Sequence, residues 1–332
     1  MLRAARAEQR LSRRLRIETR STENATLGLA RDVRWGMSQS PKRLPPKYFY
    51  DELGSRLFDA ICDTPEYYLT RSEHTLLQTI ADQLVTPAPS DLIELGSGAA
   101  RKTRLLLDAL GRRKRDCRYV PFDVSEEMLR RSASALLDEY PWLRVLGVVG
   151  DYERDLDSLP RGARRTVAFL GSTIGNFEHA AAVNFLARLG RQLQGGESIV
   201  LGTDLAKDPR ILNAAYNDAR GLTRDFNKNV LRVINRELSA NFDPDRFRHV
   251  AFFDVEASRI EMHLESTVAQ RVSIAGLKLE VDFAAGERIL TEISRKFTRA
   301  SVEQLFGEAG LVLEDWFVSG DGYFALSRAR RA

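Results

Sequence analysis

Glu94-Leu-Gly-Ser-Gly98 sets an acidic residue and two closely spaced glycines at the end of an apolar run that begins at Leu92. A helical pattern then starts near Lys102, with Leu105, Leu106, Leu107 and Leu110. A buried strand, a tight glycine turn and a helix N-terminus, in that order, form the corner where parallel α/β sheets bind nucleotide-like ligands. The dinucleotide fingerprint requires a third glycine three residues after Gly98, and Arg101 stands there instead. Two glycines behind Glu94 suit S-adenosylmethionine, which carries no pyrophosphate for the helix to hold. A nucleotide-binding oxidoreductase is the rival of another class, and titration with S-adenosylmethionine against NAD separates the two.

The next strand ends supply further chemistry. Pro121-Phe-Asp-Val-Ser places Asp123 where a carboxylate could hold a ribose diol. Gly150-Asp-Tyr offers Asp151 for an adenine amino group and Tyr152 for stacking. Either aspartate could equally cap the helix that follows it. Two of them at consecutive strand ends beside a Gly-x-Gly turn favour the cofactor reading. Gly171-Ser-Thr-Ile-Gly-Asn176 follows a strongly apolar strand with two glycines, two hydroxyls and an amide. A plain polar turn needs nothing so specific, and a methyl acceptor is normally held at this point of such a sheet.

These residues need a scaffold. Strands are expected at Leu92–Leu95, Tyr119–Phe122, Val145–Val149, Val167–Leu170 and Ile199–Gly202. Helical stretches at Lys102–Leu110, Glu126–Leu137 and Ala180–Leu193 connect most of them, which is the signature of a doubly wound sheet. A helix over Ser301–Ala309 and strands over Leu311–Val318 and Tyr323–Ser327 bring the total to seven. That closing hairpin is typical of class I methyltransferase sheets. Between the two parts, Pro209–Asn227 reads as helical, and Asn229–Leu238 extends that reading. Ala251–Phe283 alternates at period two, with a turn at Ala275-Gly276, as an antiparallel meander with one wet face does. Upstream, short helices are expected at Glu52–Cys62 and from Thr70. The expected organisation is a basic tail (1–20), a cofactor-binding core (72–204 with 296–332) and a substrate-binding α+β subdomain (21–71 with 205–295).

The chain has 332 residues and a formal net charge of +4. Residues 1–20 hold seven arginines and two glutamates, so the remainder sums to about −1 and is no basic nucleic-acid binder. No apolar run reaches the ~18 residues of a membrane helix. Cys62 and Cys117 are too few for a disulfide framework, and the four histidines show no metal-ligand spacing. A cytoplasmic monomer acting on a small molecule is the expectation, with neither membrane nor nucleic acid as partner and no metal.

Over nearly its whole length the chain resembles the histidine Nα-methyltransferases of the ergothioneine pathway. The resemblance rests on Leu44-Pro-Pro-Lys-Tyr-Phe-Tyr-Asp, Pro65-Glu-Tyr-Tyr, Glu94-Leu-Gly-Ser-Gly, Phe169 to Asn176, Leu201-Gly-Thr-Asp, Phe226-Asn, Asn235-Arg-Glu-Leu, Ile260-Glu-Met and Thr291-Glu-Ile-Ser. Several of these strings lie in the inserted subdomain, outside the generic methyltransferase core. The resemblance implies a class I fold, S-adenosylmethionine as cofactor and L-histidine as the substrate, trimethylated to hercynine. It implies that Asn176 and Tyr216 hold the substrate carboxylate, with Gly171 and Thr173 beside the amino group. Glu292 and Ser294 would bind the imidazole, with Tyr67 nearby and Met262 against the ring. Tyr50 and Phe58 would help close the site. Tyr50, Gly96, Lys102, Asp123, Asp151 and Tyr152 would face the cofactor.

The physics of the imidazole pair agrees. A ring N–H needs an acceptor, and a buried carboxylate supplies a charge-assisted one. Ser294, two residues from Glu292 on an extended segment, points to the same face. Within the family a tryptophan-type substrate is the alternative, and Glu292, Ser294 and Met262 favour histidine.

Overall fold

The computed structural model describes residues 14–20, 25–85, 90–98, 100–112, 117–162 and 164–332. In chain order the strands are β1 (Leu15–Thr19), β2 (Lys42–Arg43), β3 (Ser90–Leu95), β4 (Cys117–Asp123), β5 (Arg144–Val149), β6 (Arg164–Phe169) and β7 (Ser198–Asp204). They continue as β8 (Phe247–Asp254), β9 (Arg259–Ser266), β10 (Gln270–Ile274), β11 (Leu279–Phe283), β12 (Arg288–Arg295), β13 (Leu311–Val318) and β14 (Phe324–Arg331). The central sheet runs β1-β5-β4-β3-β6-β7-β14-β13. Its pairings are parallel from β1 to β7, and β14 lies antiparallel to both β7 and β13. From β3 the strand order steps one way to β4 and β5, then the other way to β6 and β7. That reversal opens a crevice at the carboxyl end of β3, where such sheets bind ligands.

Neighbouring residues of the central strands serve opposite faces. Ile93, Val167 and Ile199 join one core with Phe185 and Leu186 of the helix His179–Gln192. Leu92, Ala168 and Val200 join the other with Leu77 and Leu107 from the helices Leu69–Leu84 and Thr103–Arg112. Burial on both faces is what makes these strands read as continuous apolar runs. A third core lies outside the sheet, where Val33, Phe49, Val230, Ile234, Leu264 and Ile289 pack together.

The seven expected strands are present, and β1 is an eighth. Part of the segment expected as a basic tail therefore belongs to the sheet, while residues 1–13 lie outside the described residues. Leu15–Thr19 pairs in parallel with Val145–Val149. Gly147 leaves room for it, because a Cβ there would sit 3.2 Å from Cγ1 of Ile17. Arg14 donates to the carbonyls of Leu137 and Tyr140 at 3.0 and 3.1 Å, closing the end of the helix Glu126–Glu139. The arginines that suggested a tail thus include one that acts as a C-terminal cap.

Two further expectations need correction. The helix expected over Pro209–Asn227 is two helices, Pro209–Ala215 and Leu222–Leu238. Gly221 adopts φ +70°, and Asp218 accepts from the Leu222 and Thr223 amides at 2.9 and 2.7 Å. This break leaves Tyr216 at the end of the first helix. The expected meander is also divided. β8 and β9 join β12 and β2 in a four-stranded sheet, while β10 and β11 form a separate two-stranded ribbon, with a bridge from Ile274 to Ala240.

Candidate active site

One cavity of about 380 Å³ lies over the carboxyl ends of the central strands. Every residue singled out for cofactor, substrate or catalysis lines it: Tyr50, Phe58, Tyr67, Glu94, Gly96, Gly98, Lys102, Asp123, Asp151, Tyr152, Gly171, Thr173, Asn176, Tyr216, Met262, Glu292 and Ser294. They come from the central sheet and the loops after its strands, from the turn-and-helix segment 46–70, from the end of the helix Pro209–Ala215, and from β9 and β12.

On the cofactor side, Gly96 and Gly98 both have positive φ, +69° and +47°. A Cβ on Gly96 would project to 3.6 Å from Cε1 of Tyr152, into the space between turn and ring. Ser125, which accepts from the Met128 amide, caps the helix Glu126–Glu139, so the cap reading fails for Asp123. Asp123 Oδ2 accepts from the Gly98 amide at 3.0 Å and its Oδ1 from the Ser125 amide at 3.1 Å. A carboxylate has about four acceptor positions, so these amides leave capacity for a diol. Burial raises the Asp123 pKa against those amide hydrogen bonds. Asp151 is more heavily engaged, accepting from the Glu153 amide at 2.9 Å and pairing with Lys47 at 3.0 Å. Lys47 also reaches Asp32 at 3.1 Å and so ties the N-terminal segment to this wall.

Glu94 and Lys102 line the cavity and also bond within the protein. Glu94 accepts from the Thr103 hydroxyl and, at 2.5 Å, from the Tyr119 hydroxyl, joining the end of β3 to the following helix. Burial pushes its pKa up to about 7 against those hydrogen bonds. Lys102 pairs with Glu73, whose other oxygen accepts from the Gly171 amide at 2.8 Å. Glu73 was not anticipated, although it lies on the apolar face of its helix with Leu69, Leu76 and Leu77. A Cβ on Gly202 would lie 2.8 Å from Oε1 of Glu73, so the glycine makes the space for this carboxylate. Glu73→Ala is expected to destabilise the fold by about 3 kcal/mol, the lower end for breaking a buried pair, because Lys102 keeps some solvent. Urea unfolding measures this, and an unchanged midpoint would refute it.

On the acceptor side, Gly171 and Ser172 are consecutive left-handed residues with φ +74° and +58°. The conformation is costly for serine and is held by the Asp204 amide, which donates to Ser172 Oγ at 2.9 Å. The following 3₁₀ turn, Thr173–Asn176, presents Asn176 to the cavity. It rests against β12, since a Cβ on Gly175 would meet the Arg295 carbonyl at 2.9 Å.

Glu292 and Ser294 sit two residues apart on β12, and Met262 of β9 stands opposite Glu292 in the register. Burial pushes the Glu292 pKa up to about 7, with Lys296 pulling it down. Neither the Glu292 carboxylate nor the Asn176 amide has a hydrogen-bond partner among the described residues. Ser294 instead accepts from the Tyr216 hydroxyl at 2.9 Å and from Lys296 at 2.9 Å. Tyr50 is 41% exposed, and its ring lies 5.5 Å from Phe58 and 5.3 Å from Phe226. Tyr67 packs edge-on to Phe58 at 6.0 Å. Desolvation of Tyr67 raises the pKa of its phenol. Phe226, quoted earlier only within a motif, completes this aromatic wall.

A glycine turn at the switch point of a doubly wound sheet closed by a reversed hairpin, with a ribose-competent carboxylate beside it, defines a class I S-adenosylmethionine-dependent methyltransferase. The chain belongs to the family of histidine-specific, S-adenosylmethionine-dependent methyltransferases, whose model matches residues 29–331. It is 49% identical to a histidine N-alpha-methyltransferase of Mycolicibacterium smegmatis over 312 residues, 94% of this chain and 97% of that protein. It is 47% identical to a histidine N-alpha-methyltransferase of Mycobacterium tuberculosis, over 92% of this chain and 95% of that protein. Ergothioneine biosynthesis protein 1 of Schizosaccharomyces pombe is 31% identical over 81% of this chain, which spans 36% of that longer protein.

Proposed function

We propose that the chain transfers three methyl groups from S-adenosylmethionine to the α-amino nitrogen of L-histidine, forming hercynine for ergothioneine biosynthesis. The observation that carries this reading is the unpartnered Glu292 carboxylate, beside Ser294 on β12 and in the same cavity as Asn176. A carboxylate there suits a ring N–H, and an amide suits a carboxylate.

S-adenosylmethionine supplies the electrophilic methyl group. Gly96, Gly98, Asp123, Asp151 and Tyr152 hold it, with Tyr50 shared between the two ligands. Glu94 and Lys102 support this side through Thr103 and Glu73. Asn176 and Tyr216 hold the histidine carboxylate, and Glu292 and Ser294 hold the ring against Met262. Gly171 and Thr173 lie beside the amine. Peptide α-amino groups titrate near ~8, so the neutral amine needs only modest help from its surroundings. Positioning supplies most of the rate. The rings of Tyr50, Phe58, Tyr67 and Phe226 exclude water and suit methylammonium cations. The reaction stops at the quaternary nitrogen, which has no lone pair.

The reading assigns cofactor binding to residues 72–204 with 296–332, and most substrate contacts to 21–71 with 205–295. It takes the chain to act as a cytoplasmic monomer on small molecules, without membrane or nucleic acid. Among the described residues no helix is long and apolar enough to cross a membrane. Mass spectrometry of histidine incubated with the protein and S-adenosylmethionine tests the reaction. A gain of three methyl groups supports the reading, and no gain refutes it. The same assay across free amino acids decides whether histidine is preferred over tryptophan-type substrates.

A further inference from the structure

Below the acceptor side lies a charged cluster that the reaction as described does not use. Lys296 follows β12, and its side chain has no solvent exposure. Its ammonium lies 2.8 Å from Asp204 Oδ2, 2.9 Å from Ser294 Oγ and 3.2 Å from the Tyr216 hydroxyl. An ammonium has three protons and accepts nothing. All three are therefore assigned. Asp204, also fully buried, is shared with Lys207 at 2.5 Å and with the Tyr68 hydroxyl at 2.8 Å.

The consequence falls on the two hydroxyls. Each accepts one bond from Lys296, and the 2.9 Å bond between them uses one of their two protons. We infer that Lys296 is a positioning residue for the substrate, fixing Ser294 and Tyr216 as a coupled pair with one hydroxyl proton left to give. The inference rests on the proposed placement of the histidine ring at Ser294 and its carboxylate at Tyr216. That proton serves one contact at a time: with Tyr216 donating to Ser294 it goes from Ser294 Oγ to the ring, and with the bond reversed it goes from Tyr216 to the carboxylate.

Lys296 also sets the charge balance of the ring site. The groups facing Glu292 are Lys296 and three neutral phenols, Tyr50, Tyr67 and Tyr216. Those facing Lys296 are Asp204, Lys207, Tyr216 and Glu292. Lys296 is thus the one cation in the set around Glu292 and favours its ionised form.

Lys296→Met tests the inference, and Lys207 remains to balance Asp204 in that variant. Histidine KM is expected to rise about 10- to 100-fold, as for loss of charged hydrogen bonds. The acidic limb of log(kcat/KM) should move to higher pH, because Glu292 loses its cation. Calorimetric S-adenosylmethionine affinity should be unchanged, since the cofactor half is untouched. Lys296→Gln keeps donor hydrogens without charge. It should recover part of the KM loss while leaving the limb displaced, and it serves alone if the methionine variant does not fold. A purely structural ion pair would lower thermal stability without moving the limb. A folded variant with wild-type KM and an unmoved limb overturns the inference. Failure of the wild-type protein to methylate histidine would instead overturn the reading on which it rests.

Discussion

Replacing Glu292 with alanine is expected to raise the Michaelis constant for histidine about 10- to 150-fold, the equivalent of one charge-assisted hydrogen bond of about 1.5–3 kcal/mol. The S-adenosylmethionine constant should stay constant, because Glu292 lies on β12 and the cofactor residues lie at the ends of β3, β4 and β5. A wild-type histidine constant in this variant would remove the imidazole assignment. The pH dependence gives a second reading of the same residue. Burial raises the Glu292 pKa to about 7. A carboxyl with a raised pKa is protonated below that value and then no longer accepts from a ring N–H. The histidine kcat/KM should therefore fall as pH drops through about 7. Glu292→Gln should abolish that limb and leave the ionisation of the substrate amine. Glu94 is also raised to about 7, but it is tied to Thr103 and Tyr119 beside the glycine turn. Its titration should appear in the cofactor constant, which separates the two groups.

The second large effect is expected at Asp123. Asp123→Ala should weaken S-adenosylmethionine binding about 100-fold or more, as the loss of two charge-assisted hydrogen bonds implies. The substitution also releases the Gly98 and Ser125 amides, so the turn loses its anchor as well as its ligand contact. Asp123→Asn keeps one carbonyl acceptor and should lose less. Isothermal titration with S-adenosylmethionine measures both variants, and near wild-type affinity for the alanine variant would exclude Asp123 from the cofactor site.

What the sequence discloses here is local. Gly96 and Gly98 announce a turn because only a small range of residues tolerates their φ values. Glu292 and Ser294 share a face because strand geometry places i and i+2 together. The unanticipated residues act through partners distant in the chain. Glu73 meets Gly171, Lys47 meets Asp151, and Lys296 meets Asp204. Nothing in the spacing of a lone buried lysine or glutamate identifies such a partner. β1 was obscured differently, since the surrounding arginines hid the alternation of Leu15 and Ile17. The helix break after Ala215 was within reach, because Asp218 and Gly221 are ordinary start signals for the next helix.

The aromatic and acidic wall around the ring site belongs to elements outside the central sheet, whereas the glycine turn and its aspartates belong to the sheet itself. Selection can therefore act on the two walls separately. On the proposed placement of the ring, substitutions at Met262, Phe58 or Glu292 would change which amine is admitted and leave the methyl-donor side intact. A lineage that diversifies in this way needs to invent the donor half only once.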